Sequence, residues 1–187
     1  MHRLFLVFLL AVPFINGCAP LVVGGAAATG VVVAEDRRTV GTMTEDQTIE
    51  FKASSRIDDK AKGAHVSVTS YNRMVLLTGE VPDAAAKATA EKIAQAVDNV
   101  RGVFNELQVA ANSALSARAN DAYITSLVKA RFVDAQRFSP VHVKVVTEAS
   151  VVYLMGLVMR KEADAATEVA RTTRGVHRVV RVFEYLD

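Results

Sequence analysis

Val66–Val81 reads VSVTSYNRMVLLTGEV, and seventy-seven positions later Val143–Val158 reads VKVVTEASVVYLMGLV. In each stretch an alternating run meets a polar break, and a second run then closes on a glycine, Gly79 or Gly156. Val66/Val68 and Val75/Leu77/Val81 recur at period two, the mark of a strand with one buried face. Ser70-Tyr71-Asn72 and Glu148-Ala149-Ser150 supply turn residues between the runs. Each stretch therefore predicts an antiparallel hairpin. A hairpin that occurs twice divides the 187 residues into two small domains.

Working outward, Asp46–Ile57 (DQTIEFKASSRI) precedes the first hairpin and Asp121–Phe132 (DAYITSLVKARF) the second. Ile49/Ala53/Ile57 and Ile124/Val128/Phe132 recur every four residues, which predicts one apolar helical face in each. Asp46 and Asp121 read as helix N-caps. After each hairpin comes an alanine-rich helix, Ala84–Val97 (capped by Asp83) and Lys161–Thr173. Final strands follow at Val103–Val109 and Val179–Tyr185. The order in both halves is helix, strand, strand, helix, strand. The fold class is α+β: two tandem domains, each with helices on one face of a three-stranded sheet. Residues 45–110 form domain 1, 111–119 the linker and 120–187 domain 2.

The amino terminus reads as an address. Met1–Gly17 has a basic start and the apolar run Leu4–Phe14, too short to span a bilayer, so it predicts a signal peptide. The only cysteine, Cys18, follows directly. Ile15-Asn16-Gly17-Cys18 resembles the bacterial lipobox, which implies lipid attachment at Cys18; two or more acyl chains give stable anchoring, at about 0.8 kcal/mol per buried CH₂. By resemblance to Gram-negative lipoproteins, Ala19 implies sorting to the outer membrane, with the chain facing the periplasm. Residues 18–44, rich in Gly, Ala and Val, read as a tether beside the bilayer.

The helix–strand–strand–helix–strand unit resembles the BON domain of bacterial envelope proteins. The resemblance rests on Gly79 and Gly156 closing the second strands and on Gly175-Val176-His177-Arg178-Val179 before the last one. In the first copy Asn99 stands in place of that glycine. Gly79, Gly156 and Gly175 are thus candidate fold glycines. A lipobox, a tether and two such units together resemble the dual-BON outer-membrane lipoproteins. That resemblance implies a role in outer-membrane integrity, at the division site among other places, and implicates the first helix of the second domain in anionic phospholipid binding.

The residues themselves exclude several classes. A net charge of +2, with no basic stripe interleaved with aromatics, argues against nucleic acid. His65 and His142 stand at matched strand starts, an equivalence that a metal shared across the domains would explain. With no Cys, Asp or Glu at ligand spacing beside them, they read as strand-edge surface residues, and no metal or cofactor is expected. Asp58-Asp59 read as solvated loop charge, and no serine has a placeable His/Asp partner. No catalytic residue is assigned.

Where the copies differ, function can hide. Domain 1 carries eight Lys/Arg against ten Asp/Glu, whereas Ser116–Asp187 carries eleven against eight. Thr48 and Lys52 correspond to Tyr123 and Leu127, an added apolar pair out of phase with the core face. Tyr123, Leu127, Lys129, Ala130, Arg131 and Val133 are therefore the candidate phospholipid-binding residues, with phosphatidylglycerol or cardiolipin as ligand. Packing of Tyr123 and Leu127 on domain 1 is the alternative. The outward sheet face of domain 2 (Val151, Tyr153, Met155, Leu157, Val182) is apolar and needs cover. Packing between the domains is the first choice. Docking on an envelope-assembly protein, as an interaction scaffold, is the competing function.

Overall fold

The computed structural model describes residues 35–61 and 63–187; the signal peptide, Cys18 and the first part of the tether lie outside them. Helix α1 spans Val40–Lys60, with the Thr39 hydroxyl accepting from the Thr42 N–H as N-cap. Strands β1 (His65–Tyr71) and β2 (Met74–Val81) form the first hairpin. Helix α2 (Ala84–Gln95) is capped by Asp83, whose carboxylate accepts from Ala86 N–H at 2.7 Å. Strands β3 (Gly102–Asn105) and β4 (Gln108–Val109) run parallel to the central strand β2. The second unit repeats the plan with α3 (Leu115–Ala135), β5 (Val143–Glu148), β6 (Val151–Val158), α4 (Arg160–Arg171) and β7 (Arg178–Tyr185). β6 is central there, antiparallel to β5 and parallel to β7.

Each unit buries its own core. Ile49, Ala53 and Ile57 of α1 meet Val75, Leu77 and Val81 of β2 and Ala90 and Ala94 of α2. Ile124, Val128 and Phe132 of α3 meet Val152, Leu154 and Val158 of β6 and Ala163, Ala166 and Ala170 of α4. Alanine lets each second helix lie close to its sheet. A Cβ on Gly79, whose φ is +113°, would collide with the His65 carbonyl, and one on Gly156 with the His142 carbonyl. Both glycines therefore permit close approach of the hairpin strands. Asn99 and Gly175 hold the equivalent turn after the second helix, at φ +68° and +89°. Asparagine tolerates that left-handed region, which explains how it replaces glycine in the first copy.

The aspartates correct the first expectation. Each helix starts six residues earlier, so Asp46 and Asp121 lie inside helices and are buried instead of capping them. Their carboxylates reach across to the hairpin turns. Asp46 accepts from Asn72 N–H (2.9 Å), Arg73 N–H (2.7 Å) and the Ser70 hydroxyl (2.7 Å). Asp121 accepts from Ala149 N–H (2.9 Å) and Ser150 N–H (2.8 Å). Both turns hold two consecutive non-glycine residues at positive φ, Asn72-Arg73 and Ala149-Ser150. The first turn thus sits later than Ser70-Tyr71-Asn72. Such turns favour glycine; here the charged acceptors compensate by satisfying the turn's N–H groups.

Other boundaries shift as well. The last strand of domain 1 is interrupted at Glu106-Leu107, because Leu107 turns into the core. α1 claims the end of the expected tether from Val40 onward, and α3 claims the expected linker from Leu115 onward.

The two sheets pack face to face, with the helices outside. Leu76 and Tyr71 of domain 1 form one buried cluster with Tyr153, Met155 and Val182 of domain 2. Tyr153 is only 3% exposed. The apolar sheet face is covered by the neighbouring domain, and the scaffold reading loses the surface on which it depended.

Candidate functional site

α3 holds the predicted binding residues, and their arrangement follows from helical spacing. With Ile124, Val128 and Phe132 turned inward, Tyr123, Leu127 and Ala130 share one stripe directed away from the core. Tyr123 is 60% exposed, Ala130 is exposed and Leu127 is half-buried. Lys129 and Val133 lie on another flank, bordering a cleft of ≈ 390 Å³ with Arg38, Tyr71, Pro140 and Lys144. Arg131 folds back instead of pointing outward. Its guanidinium donates to the Val169 carbonyl (3.2 Å), the Thr173 hydroxyl (2.9 Å) and the Thr172 hydroxyl (3.2 Å). Three of the six residues therefore form a stripe, two flank it, and Arg131 ties α3 to α4. Sequence reasoning missed Phe51 on α1, which is 76% exposed. Its signal was available: it too falls out of phase with Ile49, Ala53 and Ile57.

Polar bonds frame the interface between domains. Glu184 accepts from Asn72 Nδ2 (2.9 Å) and Arg101 (2.7 Å), and Lys144 pairs with Glu50 at 2.8 Å. Residues Glu35–Thr39 form a strap that joins both units. Arg37 makes two bonds to Glu162 (2.6 and 2.9 Å) and one to the Leu157 carbonyl (2.8 Å). Arg38 pairs with Asp36 and Asp46 and stacks 3.8 Å over the Tyr71 ring. The Arg37 hydrogen bond holds the Glu162 carboxyl below its usual range. Burial raises the Tyr71 phenol. Tyr153, buried and facing Glu106, is pushed up to about 12.

The histidines differ from expectation. His142 is buried, its Nε2 lying 3.0 Å from the Glu35 carbonyl. His65 stands directly across the hairpin from Glu80. The fold also brings Glu148 of domain 2 there, so that ligand atoms of His65, Glu80 and Glu148 all lie within 4.8 Å of one another. The expectation of no carboxylate beside the histidines fails because Glu148 is eighty-three positions away in the chain. Burial, Glu80 and Asp121 raise the Glu148 carboxyl to about 7.

Both units match one family model, described as the BON domain, over residues 45–111 and 120–187. The chain belongs to the BON-domain family. The outer membrane lipoprotein DolP of Haemophilus influenzae is 40% identical over 93% of this chain and 91% of that protein. The 21 kDa hemolysin of Actinobacillus pleuropneumoniae is 31% identical over 81% and 80%. Osmotically-inducible protein Y of Escherichia coli is 30% identical over 81% and 78%. The chain is thus a dual-BON protein of the outer-membrane-lipoprotein type, and the hairpin, alanine-rich helix and closing strand are its BON elements. Among the described residues no helix is long and apolar enough to cross a membrane.

Proposed function

We propose that this BON protein is a non-enzymatic lipoprotein, anchored in the outer membrane through Cys18 and facing the periplasm. Its second BON domain binds anionic phospholipid, phosphatidylglycerol or cardiolipin, and through that contact supports envelope integrity, including at the division site. The observation that carries the lipid reading is the outward stripe of α3. Tyr123, Leu127 and Ala130 do not serve the core, and the same helix carries the exposed Lys129 on its flank and is followed by the exposed Arg137, two cations with no ion pair among the described residues. Tyrosine and leucine suit shallow entry at the headgroup boundary, where cations reach phosphate. Each such cation adds about 1 kcal/mol near an anionic surface. Arg131 acts differently: it holds α3 on α4.

The test is co-sedimentation of the unlipidated protein with vesicles of phosphatidylglycerol or of neutral phosphatidylcholine. Binding to the anionic vesicles only, weakening as salt rises, is expected. Leu127→Glu lowers it about tenfold with circular dichroism unchanged, whereas Phe51→Glu leaves it intact. Equal binding to neutral vesicles, or loss on Phe51→Glu alone, refutes the assignment to α3.

A further inference from the structure

The groove between the two sheets carries a polar cluster that neither the BON cores nor the proposed lipid stripe uses. β1 contributes His65, β2 contributes Glu80, and β5 contributes Glu148 across the domain boundary. Glu80 and Glu148 are only 7% and 9% exposed. Two carboxylates buried side by side are unfavourable unless something positive compensates them. Among the described residues neither has an ion pair within 4 Å; Glu80 accepts from the Ser113 N–H at 3.0 Å, and Glu148 has the Thr78 hydroxyl and, farther off, the Arg118 guanidinium to offset its charge in part. Apolar side chains of both domains, among them Leu76, Tyr153 and Met155, pack elsewhere on this face, and the second copy holds Leu157 where the first holds Glu80. The acid is therefore not a requirement of the shared fold.

We infer that His65, Glu80 and Glu148 bind a divalent transition cation of the zinc class, which fastens one BON domain to the other. An imidazole nitrogen with two carboxylate oxygens is a donor set that zinc accepts, at about 2.0–2.2 Å per bond. Tetrahedral placement at those lengths sets donor atoms roughly 3.4 Å apart. In the metal-free fold the three donor atoms lie within 4.8 Å of one another, so cation binding would draw them together. The Ser113 N–H orients the Glu80 carboxylate, as outer partners of metal ligands do. Access exists: His65 and Glu148 border a cleft of ≈ 380 Å³ with Arg118, Asp121 and Thr147. Three protein ligands leave a fourth position for water on that side. The cation neutralises the paired carboxylates and spans the interface, so its binding energy is added to domain–domain attachment.

The experiment is calorimetric titration of ZnCl₂ into the detergent-solubilised full chain after chelation, with MgCl₂ in parallel and thermal unfolding with and without zinc. One zinc per chain, a raised Tm and no response to magnesium are expected. His65→Ala, Glu80→Gln and Glu148→Gln should each weaken zinc at least about tenfold, while His142→Ala and His177→Ala leave it unchanged. Circular dichroism and metal-free Tm separate ligand loss from misfolding, and Glu148→Gln, which keeps shape, is the decisive variant. Absence of a zinc-dependent Tm shift overturns the proposal. So does zinc binding that survives His65→Ala and Glu148→Gln, which would assign it to other histidines. A Glu148→Gln protein that is more stable than the parent even with zinc present also overturns it, since the cluster would then be a carboxylate pair sharing a proton.

Discussion

The two BON domains share a skeleton and differ at its edges. Asp46 and Asp121 brace equivalent hairpin turns, Gly79 and Gly156 admit equivalent backbone contacts, and the helix–sheet cores superimpose in plan. The outer faces do not repeat. Domain 1 offers Glu80 where domain 2 has Leu157, and Thr48 and Lys52 where domain 2 has Tyr123 and Leu127. The difference teaches that residues carried by both copies build the unit, whereas residues carried by one copy decide what the unit touches. Glu80 and Leu157 both face the neighbouring domain; Tyr123 faces outward.

The shared skeleton breaks hardest at its aspartates. Asp46→Ala should destabilise the protein by about 4 kcal/mol, because it leaves two turn N–H groups and the Ser70 hydroxyl without their acceptor and takes one of its two carboxylate partners from Arg38. Asp121→Ala, with two such bonds, should cost about 2–3 kcal/mol. Urea unfolding of both variants measures the ratio; equal losses would mean that the Ser70 and Arg38 bonds contribute nothing. Tyr153→Glu places a carboxylate in the dry cluster between the sheets and should cost about 3 kcal/mol. Amide exchange should then quicken on β6 and β2 together, and quickening on β6 alone would show that the domains do not stabilise each other.

Glu148→Gln sharpens the comparison through pH. The Glu148 carboxyl, ordinarily near 4.5, titrates at about 7 in the folded protein. Between those values only the folded state holds the proton, so stability falls as pH rises through this window. In metal-free protein, glutamine should therefore stabilise by about 2 kcal/mol at pH 8 and have almost no effect at pH 4.5. Chemical unfolding at both pH values checks this, and a pH-independent effect contradicts it. The smallest change is Arg37→Ala. It removes a part-buried pair of hydrogen bonds to Glu162 and should cost about 1 kcal/mol, read as a small fall in Tm.

Much of the fold was legible because its signals are local and occur twice. Period-two valines and four-residue apolar spacing place the hairpins and helix faces, and two copies in register exclude chance. The aspartates misled because an acid ahead of an apolar helical pattern looks like a cap. Only the folded distance from Asp46 to Asn72 reveals a brace. The break at Leu107 was hidden because an alternating run does not announce which residue will leave the ladder. In the candidate site, Tyr123 was legible as an apolar residue out of phase with its helix's core face, and Phe51 carries the same signal on α1. Arg131 was not, since its partners Thr172 and Thr173 lie on another helix. His65, Glu80 and Glu148 converge only once the sheets meet.

The strap carries a consequence for how the molecule would sit on its membrane. Glu35 accepts from the Ser139 hydroxyl and borders Val133 at the end of α3 and the loop that follows it, so the chain leaves the folded body beside the proposed lipid contact. From a lipidated Cys18 to Glu35 the polypeptide reaches at most about 60 Å. Mooring line and keel then emerge from one side of the hull. An acyl anchor would hold α3 at high local concentration over the bilayer, so that a contact too weak to recruit a free protein would suffice to set the angle of a tethered one.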